Sequence, residues 1–263
     1  MKKAIKAIYI VLAVLVALVL LVVIAVNLFA DSAVKKAVEV GGTKALKVDV
    51  SLGKANLSIM GGALGLKNLA IKNPPGYQHD TLLKLNSGDI KVVVGSLLSN
   101  HVRIKEIKLD GMNLVLEQKG LGSNLQDIIK GMSSDDSGKA EPSGKKLVID
   151  NLEISNVTVQ VKLLPVPGKA DTMALKLSPI KMKDLGSDSK LDVATLSSKI
   201  LLAIAGGIAE QGAGIIPKDM LDGIGSVLGK TLDVGKEVIK GTGEIGKGLG
   251  EGLKGLLKPK EKK

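Results

Sequence analysis

IKEIKL at residues 104–109 and IDNLEI at 149–154 repeat a phrase that first occurs as LKNLAI at 66–71, apolar at its first, fourth and sixth positions. The second and third copies match further, pairing Met112, Leu114 and Leu116 with Val157, Val159 and Val161. The copies start 38 and 45 residues apart. Alternation over so many positions predicts strands, and its recurrence predicts a stack of like units. Strands of this kind, each apolar on one face, make a long apolar surface and no obvious reaction centre.

Strand pattern extends to both sides. Leu46, Val48, Val50 and Leu52 alternate, as do Leu57 with Ile59 and Leu64 with Leu66; Gly61-Gly62 marks a turn, and NPPGY at 73–77 is turn chemistry that excludes helix. Leu83, Leu85, Ile90, Val92 and Val94 continue the strands, and Ser96 to Asn100 reads as one helical turn. A short helix capped by Ser123 is expected over Asn124 to Met132, followed by a solvated loop at 133–146. The sheet resumes from Leu147 to Val161, turns at Pro165 to Gly168 and ends near Met182. The expected fold is α+β, a curved, mostly antiparallel sheet of about ten strands, roughly 45 to 50 Å across at about 4.8 Å per strand.

From Leu191 the period becomes helical, with Leu221, Ile224, Leu228, Leu232, Val238, Ile245, Leu249, Leu253 and Leu256 on one face. Glycine is frequent in this tail, so its helices must draw stability from docking. Gly225 with Gly229 and Gly248 with Gly252 have a spacing that permits close helix approach.

At the other end, Ala7 to Ala30 runs 24 residues without a charge after Lys2, Lys3 and Lys6. That is long enough to cross a bilayer, which takes roughly 20 apolar residues. A cleaved signal has a shorter apolar region, and Leu28 spoils the natural small-x-small site before Ala30. The reading is an uncleaved anchor at 1–30 with a short helical continuation from Asp31 to Val40, stopped by Gly41-Gly42. The preceding lysines put the N-terminus in the cytoplasm and the bulk outside it. The domains are therefore the anchor, a sheet domain at 31–190 and a helical tail at 191–263.

Composition narrows the chemistry. The chain has no cysteine, and its formal charge of +11 is spread along it apart from the terminal lysines. Tyr9, Phe29 and Tyr77 are its only aromatic residues, so the stacking platforms of single-strand nucleic-acid binders are missing. His79 follows a turn and His101 precedes a strand, without HExxH or GxSxG nearby. Asp135 and Asp136 lack further ligands at calcium spacing, and GGALG at 61–65 reads as a hairpin turn rather than a phosphate loop. No enzyme, cofactor or metal site is expected, and no nucleic-acid partner.

The apolar span, then LGLKNLAIKNPPGY, GSLLSN, VRIKEIKLDGMNLVLE and SNLQDII, resembles the N-terminal region of the AsmA family of bacterial envelope proteins over roughly residues 1–132. The resemblance implies an inner-membrane-anchored periplasmic protein linked to outer-membrane biogenesis. It also implies kinship with β-groove proteins that carry phospholipid between membranes. Under that reading Leu66, Leu69, Ile71, Val92, Val94, Ile107, Leu109, Leu114 and Leu116 are candidates for lining an apolar groove. The alternative is that the same residues are ordinary core beneath the chain's own C-terminal helices, in a tether or scaffold of the envelope. Membrane phospholipid is the expected partner, and an envelope protein or a second copy would be further ones.

Overall fold

The computed structural model describes residues 30–120, 122–133, 145–163, 172–187 and 191–234. A helix at 30–46, α1, leads into strands β1 (Val50–Ser58), β2 (Ala63–Lys72), β3 (Thr81–Val92) and β4 (His101–Lys119), with a 3-10 turn at Val94–Leu98 before β4. The two-residue β5 (Gly122–Ser123) and helix α2 (Asn124–Ser133) precede β6 (Lys146–Lys162), β7 (Thr172–Leu177) and β8 (Ile180–Leu185). Helices α3 (Val193–Gln211) and α4 (Lys218–Val234) follow. The anchor span up to residue 29, most of the 133–146 loop, the 165–168 turn and the tail beyond 234 lie outside the described residues. Among those that are described, no helix is long and apolar enough to cross a membrane.

The second and third copies of the phrase lie side by side. β4 and β6 pair in parallel, with Ile104 beside Ile149, Ile107 beside Leu152, Leu109 beside Ile154 and Leu114 beside Val159. Antiparallel pairing surrounds this ladder in the order β1-β2-β3-β4-β6-β7, with β8 also on β6 and β5 on β4. The open, curved sheet has eight strands rather than about ten. It is six strand positions wide, so at about 4.8 Å per step it measures about 24 Å across instead of 45 to 50 Å. The difference arises because β4 and β6 continue through irregularities that break the apolar alternation.

Those irregularities explain the two consecutive polar residues of the phrase. Along β4 the buried positions step by three at Ile104 to Ile107 and again at Leu109 to Met112, and β6 does the same from Ile149 to Leu152 and from Ile154 to Val157. The first step coincides with a register shift of β3 between Lys91 and Val92. At the second, Asn68 (φ 55°), Gly111 (φ 70°) and Asn156 (φ 52°) are left-handed, and the pairing sets them level across β2, β4 and β6. The first copy is therefore level with Leu109 to Leu114, out of step with the other two. A side chain at Gly111 would meet both a left-handed backbone and the amide of Asn86.

Helix α1 does not stop at Gly41-Gly42 but runs on to residue 46, and the expected strand positions Leu46 and Val48 precede β1. The edge of β1 holds it there. Asp31, Glu39 and Thr43 accept from the backbone N–H groups of Leu57, Leu52 and Val50 at 2.7, 2.9 and 3.0 Å, and Lys35 donates to Gly53 O at 3.5 Å. These four residues recur every fourth position, along one helix face, so α1 satisfies an edge that would otherwise be open to another strand. The opposite edge is split at Ser178-Pro179 and carries exposed Lys176, Lys181 and Lys183, which discourage strand addition.

Glu39→Ala removes the acceptor of the Leu52 N–H and should cost about 1 to 2 kcal/mol in urea denaturation, with faster hydrogen exchange at the β1 amides. Gly111→Val should cost roughly 1 to 3 kcal/mol through backbone strain, measured in the same way.

Candidate functional site

The apolar face of the sheet lies beneath the chain's own helices over most of its extent. Leu114 and Leu116 are 0% exposed, and with Ile71, Ile107 and Leu109 they belong to one core that includes Leu125, Ile128 and Ile129 of α2, Leu201, Ile204 and Ile208 of α3, and Ile224 and Leu228 of α4. α2 packs on β4, and α3 packs on β7 and β8. Gly207 helps α3 come close, since a Cβ there would lie 3.4 Å from Leu177 Cδ1. Leu66 belongs to a second, smaller cluster with Leu52 and Ala55, covered by Val34 and Val38 of α1.

Between these two covers runs a strip over β2 and β3. Leu69 and Ile90 are half-buried and pack against both clusters. Leu64, opposite Ile90, and Val92 are also half-buried, and Val94 just beyond is exposed. Of the nine candidate groove residues, Leu69, Val92 and Val94 thus lie on or at the end of the least covered part of the face. The other six are buried, in two separate clusters. Leu64 and Ile90, which the sequence placed on strands without singling them out, complete the strip.

A protein-family model described as the AsmA family matches residues 1–184. The chain belongs to the AsmA family. No curated protein matches it. The AsmA segment takes in all but the last residue of β8 and so nearly the whole sheet, well past the roughly 132 residues over which the resemblance was legible. It leaves out α3 and α4, which cover much of the apolar face. Membership supports an envelope-associated role in outer-membrane biogenesis.

The AsmA sheet also carries a polar clasp around the NPPGY turn, at the end where β2 meets β3. Glu117, 7% exposed, accepts from the backbone N–H groups of Gln78 and His79 at 2.5 and 3.0 Å and lies 2.8 Å from His79 Nδ1. Asn124 accepts from Glu117 N at 3.0 Å and donates to Val115 O and Asn73 Oδ1 at 2.7 and 2.8 Å. Asn73 in turn donates to His79 O at 2.6 Å. Tyr77 donates to Asp127 Oδ2 at 2.6 Å, with Lys119 Nζ 5.0 Å from its ring centroid. Burial, reinforced by the Asp127 carboxylate, pushes the Tyr77 phenol up. His79 is thereby a turn-fastening residue, as its position after a turn predicts; its link to Glu117 spans 38 residues, and nothing in the local pattern announces it.

On the opposite face, charges alternate across the strands. Lys108 and Lys91 hold Glu106 down to about 2 by their hydrogen bonds, and Ser155 and Asn156 lower Asp110 likewise. This face is solvated, and its ion pairs are exposed and individually weak.

Burial alone would raise the Glu117 carboxyl, but the Gln78 and His79 donors outweigh it and leave the group below its ordinary value. A depressed folded-state value means that its stabilisation is present above the ordinary glutamate range and is lost as pH falls through the folded-state value. Glu117→Gln should therefore flatten the acid side of a melting-temperature profile taken against pH. Glu117→Ala should cost roughly 1 to 3 kcal/mol at neutral pH by leaving buried donors unpaired.

Proposed function

We propose that this AsmA-family protein is held in the inner membrane by the apolar run at 7–30, with its sheet in the periplasm, and that it holds phospholipid acyl chain along the strip formed by Leu64, Leu69, Ile90 and Val92. It acts in outer-membrane biogenesis by binding or passing lipid, without covalent chemistry. The observation that carries this reading is the half-buried apolar strip left between two clusters that the protein covers for itself. Apolar area open to water forfeits about 25 cal/mol per Å², a cost that acyl chain in the strip would relieve. That the covering helices α3 and α4 fall outside the family segment fits a common sheet with a separate cover.

A second reading is favoured by Leu114, Leu116, Val159 and Val161, all 0% exposed. It makes the protein a non-enzymatic tether or assembly scaffold with a self-closed core, engaging an envelope protein or a second copy of itself.

Native mass spectrometry with lipid extraction on the detergent-released full-length protein separates the two. Phospholipid retained at a defined ratio, and lost in Ile90→Asp with the circular dichroism unchanged, is the expected result. Leu109→Asp, by contrast, should unfold the sheet domain, because Leu109 lies in the main core. A lipid-free protein with an intact fold would overturn the lipid reading and leave the tether.

A further inference from the structure

Large hydrophobic side chains are exposed almost wholly at one end of the molecule. Among the described residues they are Val40, Ile59, Met60, Val94, Leu97, Leu98 and Val193, and all but Val40 lie in the β1–β2 tip, the 3-10 turn or the first residue of α3, at the end opposite the NPPGY clasp. Met60 and Leu98 are the extremes at 97% and 95% exposed. Backbone hydrogen bonds tie these loops together. Val92 N donates to Gly62 O at 2.7 Å, Val93 N to Arg103 O at 2.9 Å, Lys146 N to Asn100 O at 3.0 Å, and Leu147 N to Leu191 O at 2.8 Å. The β1–β2 hairpin tip, the 3-10 turn and the start of α3 therefore form one surface.

The chain enters the domain at this same end. Asp31, the first charged residue after the apolar run, accepts from Leu57 N at 2.7 Å, one residue before the end of β1. Met60 lies three residues further along the chain, in the tip. The tip therefore lies at the end of the sheet where Asp31 joins it. Lys145 and Lys146 flank the 3-10 turn, where Lys145 Nζ donates to Leu97 O, and Lys146 pairs with His101 at the start of β4. Exposed apolar tips beside lysines match the boundary between anionic head groups and acyl chains.

We propose that Ile59-Met60 and the Val94–Leu98 turn rest in the interface of the bilayer that the apolar run enters, so that the sheet stands on the membrane at a set orientation. This rests on the anchor reading given above. The half-buried strip then opens at the lipid surface, because Val92 and Val94 lie at the foot of β3 beside the immersed turn. Exposure of these side chains to water, otherwise without benefit, becomes a docking surface for lipid.

The absence of cysteine allows single-site labelling of the full chain. Met60→Cys, Leu98→Cys, Leu20→Cys in the apolar run and Gln78→Cys at the far end would each carry an environment-sensitive fluorophore. Each labelled protein would be reconstituted into vesicles of phosphatidylcholine and phosphatidylglycerol, with and without acyl-brominated lipid. The expected result is loss of emission at positions 20, 60 and 98 and none at 78; Val193→Cys at the start of α3 tests the same end if either tip variant disturbs the circular dichroism. Quenching at 20 with 60 and 98 as bright as 78 would overturn the docking and leave the anchor standing. Full emission at 20 would overturn the anchor and the docking together.

Discussion

The in-register parallel ladder between β4 and β6 is the constraint on which the remaining architecture depends. Antiparallel neighbours can be joined by a tight hairpin, but parallel ones need a crossover long enough to return to the starting end of the sheet. Here that crossover includes β5 and α2, and it brings Leu125, Ile128 and Ile129 onto the face where Leu114 and Leu116 would otherwise be open. The first part of the cover is thus a consequence of strand direction. α3 extends it over β7 and β8, and α4, packed on α2, α3 and β5, completes the larger of the two clusters.

The smaller cluster answers a different demand. An edge strand carries backbone groups that need partners, and α1 supplies them from side chains spaced one helical turn apart while its Val34 and Val38 cover Leu52, Ala55 and Leu66. The two covers arise from separate causes; α1 reaches the larger cluster at Leu46, while Leu64, Leu69, Ile90 and Val92 between them are only half-buried. The two ends of the sheet are also unlike. One is fastened by Glu117, Asn124 and Tyr77 in a polar clasp, and the other presents Met60 and Leu98 beside the point where the apolar run joins the domain.

Much of this was legible in the residues. The apolar positions of β2, β3, β4 and β6 were read correctly because burial on one face of a strand imposes a local period. The Ser123 cap was legible for the same local reason, and Ser123 Oγ accepts from Gln126 N at 3.3 Å. Strand number was misjudged because a three-residue step looks like a strand end, whereas at Gly111 and Asn156 a left-handed residue carries the strand through. The end of α1 was misplaced because Gly41-Gly42 lowers intrinsic helix propensity by about 1 kcal/mol per glycine, an amount that docking along β1 offsets. Asp31, Lys35, Glu39 and Thr43 held a visible four-residue period, but it reads equally as a solvated helix face until the strand edge beside it is known.

By itself the sequence determined which residues are apolar on each strand, where helix replaces strand, and the family to which the chain belongs. Those properties follow from side-chain period and local turn chemistry, which act over a few residues. Only the tertiary structure decided which apolar residues are covered and by what, because Ile107 and Leu69 hold the same position of the repeated phrase, yet Ile107 is buried in the main core and Leu69 is half-buried between the two clusters. It also decided that the exposed tips and the entry of the apolar run share one end, a relation set by strand direction across the whole sheet.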